Sequence, residues 1–199
     1  MTAVFYLVRH AAHDNVGGFL AGRMPKVHLG ANGLAQAGRL ATRMQRERFE
    51  AIFASPRERT QETAAAIAGA SGDLPVTTAD ELDEVDFGTW SGSNWEALNK
   101  LEAWQRWNAM RSMAETPNGE TMLDVQHRAV GLVRRLEKQN ADGRIVLVTH
   151  ADIIKSLVSY VLGLPIDAWP RLEISPASIT TIVLGPWGGK VLTMNETIS

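Results

Sequence analysis

The sequence predicts an α/β protein, a three-layer α/β/α sandwich around a mostly parallel central sheet. Short apolar segments of β-type residues alternate along the chain with amphipathic helical segments, which is the order typical of parallel sheets. Two of the apolar segments end in a histidine: Arg9 and His10 follow 4–8, and His150 follows 145–149. The chain has 199 residues, of which 45% are hydrophobic. This is enough for one core, so we expect a single domain over residues 1–199.

Hydrophobic periodicity predicts the individual elements. The predicted strands cover 4–8, 51–54, 76–82 and 145–149, and 178–184 with 190–194 form a terminal hairpin. The predicted helices cover 31–48, 55–70, 94–111, a segment from 121 to 139, and 152–162. Ser55 and Pro56 are expected as N-cap and first residue of the second helix, and Thr121 with Asp124 as a capping box. The glycine-rich segment 16–30 is expected to be a loop over the strand ends.

Composition argues against several classes of protein. The formal net charge is −2, and acidic and basic residues are interleaved without a run of either sign. We therefore expect neither a nucleic-acid partner nor a membrane surface. Cysteine is absent, which excludes disulfides and favours a reducing compartment. No spacing typical of a metal site and no long apolar span occur, so we expect a cytoplasmic protein without a bound metal.

Titratable side chains stand at four predicted strand ends or helix starts. They are Arg9 with His10, Arg59, Glu84 and His150. The carboxyl ends of parallel strands form the ligand crevice of an open sheet, so the two histidines should meet there. Residues 5–12 alone would equally fit a surface salt bridge beside a space-filling histidine. The second strand that ends in a histidine favours a site.

This set of residues suits the chemistry of phosphate esters. A neutral imidazole is a nucleophile toward phosphorus, and two arginines neutralise the phosphoryl oxygens. The amino end of the helix predicted at 55 would add N–H groups to the same anion site. Glu84 is the candidate acid that protonates the leaving oxygen. Arginines lower the pKa of a neighbouring glutamate and a phosphate dianion raises it, so we expect Glu84 to be protonated when substrate is bound.

Five blocks in order between residues 4 and 155 resemble the histidine phosphatase superfamily, also called the phosphoglycerate mutase-like family. They are Leu7-Val8-Arg9-His10, Ser55-Pro56-x-x-Arg59-x-x-x-Thr63-Ala64, Leu82-x-Glu84-x-x-Phe87-Gly88-x-Trp90-x-Gly92, Pro117-x-Gly119-Glu120-Thr121 and Val148-Thr149-His150. The resemblance implies the phosphoglycerate mutase-like fold. It also implies that His10 becomes phosphohistidine and that Glu84 donates a proton. The phosphate ligands that it implies are Arg9, Arg59 and His150. Proteins of this family need no metal or organic cofactor.

The chain departs from the family pattern around both histidines. The family usually has glycine, glutamate and threonine or serine after the first histidine, and this chain has Ala11, Ala12 and His13. Ala151 replaces the usual glycine after the second histidine, which requires a negative φ at that position. We expect altered accessory contacts to phosphate, with the nucleophile and its arginines retained.

Three residues are candidate accessory phosphate ligands. Asn15 stands one position before the family's usual asparagine, and Lys155 occupies the place of a frequent arginine. Arg57 fits equally well as a phosphate ligand or as an exposed ion pair with Glu58 or Glu62.

The function expected from the resemblance is a phosphomonoesterase that acts on a small phosphorylated metabolite and releases inorganic phosphate. The block from Phe87 to Trp90 resembles the phosphatase branch. A phosphoglycerate mutase-type phosphomutase is one alternative, and a phosphate-binding module with an impaired site, motivated by residues 11–13, is another. The three tryptophans of 94–111 are expected to pack in the core or, for one of them, to line the leaving-group pocket. Apolar residues of the terminal hairpin make a homodimer possible.

Overall fold

A six-stranded sheet forms the centre of the molecule, with the strand order β3-β2-β4-β1-β5-β6. The computed structural model describes residues 2–14 and 17–198. The strands are β1 (Ala3–Arg9), β2 (Ala51–Ala54), β3 (Val76–Thr78), β4 (Arg144–Thr149), β5 (Ile179–Gly185) and β6 (Gly188–Glu196). The strands β1 to β4 are mutually parallel, and β5 and β6 join as antiparallel strands. The predicted mostly parallel sheet and terminal hairpin are confirmed.

Helices cover both faces of the sheet, as the sequence predicted. They are α1 (Ala31–Met44), α2 (Glu58–Ala70), α3 (Trp95–Asn99), α4 (Glu102–Ala109), α5 (Met122–Gln139) and α6 (Ala151–Leu162). Side chains alternate along β1, so Phe5 and Leu7 pack into one core cluster and Tyr6 and Val8 into another. The first cluster includes apolar side chains of α5 and α6, and the second those of α1 and α2. Within the described ranges, no helix has the length and apolar character that a membrane crossing requires.

The start of α2 differs from the prediction. Arg57 is its N-cap and Glu58 its first residue, so Ser55 and Pro56 precede the helix. The side chains of Thr60 and Gln61 donate hydrogen bonds to the carbonyl of Ser55, at 2.8 and 2.7 Å. These bonds hold Ser55 in front of the helix. Arg59 is therefore the second residue of α2 and lies in its first turn.

Two further predicted elements are shorter than expected. The strand predicted over 76–82 ends at Thr78 and is followed by a 3-10 turn, Asp80–Leu82. The helix predicted over 94–111 is broken into α3 and α4, because Leu101 has an extended backbone at φ −86° and ψ 122°. The capping box of Thr121 and Asp124 at the start of α5 is present as predicted.

The loop after β1 lies directly against α1. Gly33 is buried in this helix, and a Cβ atom at its position would lie 1.8 Å from the carbonyl oxygen of Ala12. The amide of Ala12 donates to the side chain of Gln36, also in α1, at 3.0 Å. A residue without a side chain is therefore required where the helix and this loop meet.

We expect Gly33→Ala to lower the free energy of unfolding by about 1–3 kcal/mol, because the added methyl group must displace the backbone of Ala12. Gly38→Ala is the matched control, since Gly38 is exposed on the same helix and has nothing within 4 Å of an added Cβ. The control should raise the free energy of unfolding by about 0.5–1 kcal/mol, as removal of a helical glycine does. Urea unfolding of both variants measures this. Equal stabilisation by both would show that the helix does not press on the loop.

Candidate active site

The two histidines predicted to meet lie side by side at the carboxyl edge of the sheet. In the parallel pair β1 and β4, Arg9 is in register with Thr149. The amide of His10 donates to the carbonyl of Thr149 at 3.0 Å. The ring centroids of His10 and His150 are 5.2 Å apart. Because these adjacent parallel strands end in register, they bring together residues that are 140 positions apart in the chain.

The hydrogen bonds of His10 define its tautomer. Nδ1 lies 2.7 Å from the carbonyl oxygen of Ala11, which only accepts, so Nδ1 carries the proton. Nε2 lies 3.3 Å from Nε of Arg59, which only donates, so Nε2 carries the lone pair. Burial, and then the charges of Arg59 and Arg9, hold the pKa of His10 well below its usual value. His10 is therefore a neutral imidazole with a nucleophilic Nε2.

Arg59 connects the two histidines. Its side chain is fully buried, and Nη2 donates to Nδ1 of His150 at 3.2 Å and to the carbonyl of Gly22 at 2.8 Å. Because Nδ1 of His150 accepts this bond, its proton is on Nε2. Burial, and then the charge of Arg59, hold the pKa of His150 well below its usual value. One guanidinium thus fixes the orientation of both rings.

Ser55 and Asp83 support the second histidine, and sequence reasoning did not assign them this position. Nε2 of His150 lies 2.9 Å from Oγ of Ser55, which in turn donates to Oδ1 of Asp83 at 3.3 Å. Ser55 had been expected as a helix cap. Ser55 stands at the end of a buried strand, as the two histidines do. This position was the signal in the sequence that could have identified it as a site residue.

Arg9 and Arg59 each have one buried N–H group without a hydrogen-bond partner in the described ranges. Nη1 of Arg9 donates to the carbonyl of Ile174 at 2.6 Å, but its Nε has no partner among residues 2–14 and 17–198. The same is true of Nη1 of Arg59. Both residues line the cavity that contains His10. Buried charged donors without partners are costly, so this arrangement suits an anionic ligand beside Nε2 of His10.

Glu84 has a raised pKa of about 7. Burial is the largest cause and the charge of Asp152 adds to it, while Arg59 and Arg9 act in the opposite direction. The sequence argument had expected protonation to depend on bound phosphate, but burial and the charge of Asp152 together outweigh the arginines. Oε2 of Glu84 lies 3.5 Å from Nδ1 of His150. A carboxyl group that gains and loses a proton near neutral pH therefore lies next to the histidine pair.

The backbone of Glu84 is held by two arginines. Nε of Arg23 and Nη2 of Arg128 donate to its carbonyl, at 2.8 and 3.1 Å. Glu120 accepts hydrogen bonds from both of these arginines and from the amide of Asp86. Glu120 thus helps to hold this loop in place.

A cavity of about 290 Å³ opens beside His10. One part of it is formed by His10, Arg9, Arg59 and Glu84. The remainder has aromatic walls and a few polar groups; its side chains include Phe19, Phe87, Trp95, Trp104, Trp169, Asn108, Arg111, Asp152 and Lys155. Two tryptophans of 94–111, Trp95 and Trp104, thus line the cavity, where one had been expected to line a leaving-group pocket. Trp107 is fully buried in the core.

The remaining candidate residues differ in position. His150 is fully buried and is not among the residues that line the cavity, so its contact with phosphate stays a prediction. Arg57 also lies outside the cavity lining: its Nε is 2.9 Å from Oδ1 of Asp83, so neither expected role of Arg57 is observed. Lys155 lines the cavity, and Asn15 lies outside the described residues.

The residues that depart from the family pattern have defined positions beside the two histidines. Ala11 and Ala12 are held by backbone hydrogen bonds to the side chains of Thr63 and Gln36. Ala151 is the first residue of α6 and is not among the described residues with positive φ, as its β-carbon requires. His13 lines the cavity, and its ring stacks on that of His10 at 6.1 Å. Among the described residues, no three histidine, aspartate or glutamate side chains are grouped as a metal site would require.

The pKa directions predict distinct titrations of individual histidines. His10 and His150 should remain neutral between about pH 5.5 and 8, because their pKa values lie well below the usual one. The pKa of His28 should lie above its usual value, because Glu62 accepts a hydrogen bond from its ring. His28 should therefore become protonated at a higher pH than an ordinary histidine. Nitrogen-15 NMR of the imidazoles checks both the titrations and the tautomers. Protonation of His10 near neutral pH would contradict its assignment as a neutral nucleophile.

Comparisons with known proteins agree with this geometry. The family model of the histidine phosphatase superfamily (branch 1) matches residues 5–197. Phosphoserine phosphatase 1 of Hydrogenobacter thermophilus is 29% identical over 194 residues, which cover 96% of this chain and 91% of that protein. The probable phosphoglycerate mutase GpmB of Enterobacter sp. strain 638 is 32% identical over 202 residues, with 98% and 93% covered.

Solved structures show the same fold. A mycobacterial glucosyl-3-phosphoglycerate phosphatase superposes with a TM-score of 0.88 at 26% identity, with 99% of this chain and 100% of that chain covered. The relatives carry the names of phosphatases and of a mutase, and the matches span almost the whole chain. The chain therefore belongs to branch 1 of the histidine phosphatase superfamily and is an enzyme of the phosphatase type.

Proposed function

We propose that this protein is a phosphomonoesterase that acts on small phosphorylated metabolites through a phosphohistidine at His10. The observation that carries the proposal is the neutral tautomer of His10, whose Nε2 lone pair lies beside unpaired donors of Arg9 and Arg59. Relatives named for phosphoserine and for glucosyl-3-phosphoglycerate support the hydrolysis of phosphate monoesters.

In the first step, Nε2 of His10 attacks the phosphorus atom and the bond from phosphorus to the leaving oxygen breaks. Arg9 and Arg59 neutralise the phosphoryl oxygens, whose charge is greatest in the transition state. The protonated carboxyl of Glu84 gives its proton to the leaving oxygen, so an alcohol rather than an alkoxide departs. His150 acts through Arg59: its Nδ1 accepts a hydrogen bond from this guanidinium, and its Nε2 donates to Ser55.

In the second step, water attacks the phosphorus of phosphohistidine. Glu84, now ionised, accepts a proton from the water, and the bond from phosphorus to Nε2 breaks. Inorganic phosphate leaves, and His10 and Glu84 return to their initial states. A pKa of about 7 lets the same carboxyl group act first as an acid and then as a base.

A phosphomutase is the second candidate, and the match to a probable phosphoglycerate mutase is the observation that favours it. A mutase shares the first step but returns the phosphoryl group from His10 to a second hydroxyl group. The two are distinguished by the acceptor, because a mutase requires a bisphosphorylated primer and releases little inorganic phosphate.

A cytoplasmic location and a homodimer also stay predictions.

We expect His10→Ala to abolish both hydrolysis and covalent labelling. The wild-type protein, quenched rapidly during turnover of an aryl phosphate without added metal, should carry an acid-labile phosphoryl group on His10, mapped by mass spectrometry. His127→Ala is the matched control, because His127 is exposed on α5, and it should keep both properties. Turnover that persists in His10→Ala would overturn the mechanism.

Glu84→Gln should lower kcat/KM for phenyl phosphate, which reports the first step, by about 10²- to 10⁴-fold, the usual contribution of a general acid. The loss should be much smaller for 2,4-dinitrophenyl phosphate, whose leaving group needs no proton. Because the protonated form of Glu84 is the active one, wild-type kcat/KM for phenyl phosphate should fall as the pH rises through about 7. Steady-state pH profiles with both substrates measure this. Equal losses for the two substrates would exclude Glu84 as the acid.

A further inference from the structure

The cavity beside His10 also contains two cations that the proposed mechanism does not use. Arg111 follows α4, and Lys155 lies in α6. Both contact the indole ring of Trp169: Cζ of Arg111 is 3.5 Å from the ring centroid and Nζ of Lys155 is 4.8 Å from it. All three residues line the cavity. We refer to Arg111, Lys155 and Trp169 as the distal subsite.

Arg111 has one unused donor in the distal subsite. The residue is 4% exposed, with Nη1 2.9 Å from Oδ1 of Asp152 and Nη2 3.4 Å from Oδ1 of Asn108. Its Nε is buried and has no hydrogen-bond partner in the ranges that the structure describes. The guanidinium is thus fixed by its neighbours while one charged N–H group remains free for a ligand.

Lys155 has no counter-ion of its own. None of the described carboxylates forms an ion pair with it, although Asp152 and Glu173 act on its pKa from farther away. The side chain is partly buried, and this burial lowers the pKa of the ammonium group. A partly desolvated ammonium beside an indole ring interacts strongly with an anion that enters the cavity.

The charges that line the cavity leave one positive charge unbalanced. Arg111 and Asp152 form a neutral pair, and Glu84 is neutral when it acts as an acid. Arg9 and Arg59 together balance a phosphate dianion. Lys155 therefore remains, and a single negative charge on the leaving group would compensate it. A carboxylate has this charge, whereas a second phosphate dianion would exceed it.

Other walls of the cavity are apolar and flat. They include Phe19, Phe87, Trp95 and Trp104, with ring centroids of Trp95 and Trp104 6.0 Å apart. Such walls bind an apolar or planar body by burial and stacking.

We propose that the distal subsite binds a carboxylate of the leaving group, and that the preferred substrates are phosphomonoesters whose apolar or planar leaving group carries a carboxylate. This inference rests on the proposed phosphomonoesterase function. Arg111 Nε and Lys155 Nζ are the donors, and the aromatic walls hold the body of the leaving group between them and the phosphoryl group.

The test compares three aryl phosphates of similar size: 4-carboxyphenyl, 4-carbamoylphenyl and 4-(aminomethyl)phenyl phosphate. The first two differ mainly in charge. We expect kcat/KM for the carboxylate to exceed that for the amide by about 10- to 100-fold, as charge-assisted hydrogen bonds give, and the cationic substrate to be the poorest. The ratio within one preparation is independent of the fraction of folded enzyme.

Lys155→Met should reduce this ratio to near one, because methionine keeps the stem against Trp169 without the charge. Lys155→Glu should move the preference toward the aminomethyl substrate. Lys190→Met is the matched control, since Nζ of Lys190 also lies over an indole ring, that of Trp187, at 5.2 Å but outside this cavity. The control should keep the wild-type ratio.

The outcomes separate the two proposals. Hydrolysis of all three substrates with equal kcat/KM, or a carboxylate preference that survives Lys155→Glu, would overturn the distal subsite and leave the phosphomonoesterase intact. Absence of hydrolysis of all three would overturn the proposed function and this inference with it.

Discussion

The parallel pairing of β1, β4 and β2 is the constraint on which the site depends. Arg9 is in register with Thr149, and Ala54 with Val148, so the three strands reach the same edge together. The residues that follow them, His10, His150 and Ser55, are therefore neighbours. Their backbone amides and side chains are held by strand-to-strand hydrogen bonds as well as by side-chain contacts. Precise placement of His10 and His150 therefore follows from the pairing of the strands.

Burial then determines the electrostatics of the site. The same desolvation that keeps His10 and His150 neutral raises the pKa of Glu84 and leaves the guanidinium of Arg59 without a full set of partners. Each of these effects favours the state that phosphoryl transfer needs. An anion that enters the cavity supplies the missing partners of the arginines. These unpaired buried donors lower the free energy of unfolding, and a bound dianion would offset that loss.

The leaving-group side of the cavity is built from segments distant in sequence from the histidines. The break between α3 and α4 lets Trp95 and Trp104 face the cavity, and the 3-10 segment Ile166–Arg171 brings Trp169 against Arg111. The phosphoryl end depends mainly on the sheet. The two ends are coupled through Asp152, which pairs with Arg111 and contributes to the raised pKa of Glu84.

The sequence by itself determined the α/β class, most strand positions and the meeting of His10 with His150, because period-two and helical patterns report directly on which side chains are buried. The sequence also predicted Arg9, Arg59 and Glu84 as residues of one site. Only the tertiary structure decided the pKa of Glu84, the place of Ser55 beside His150 and the contacts of Arg111 and Lys155 with Trp169. These properties arise from burial and from contacts across segments far apart in the chain, which local patterns do not encode.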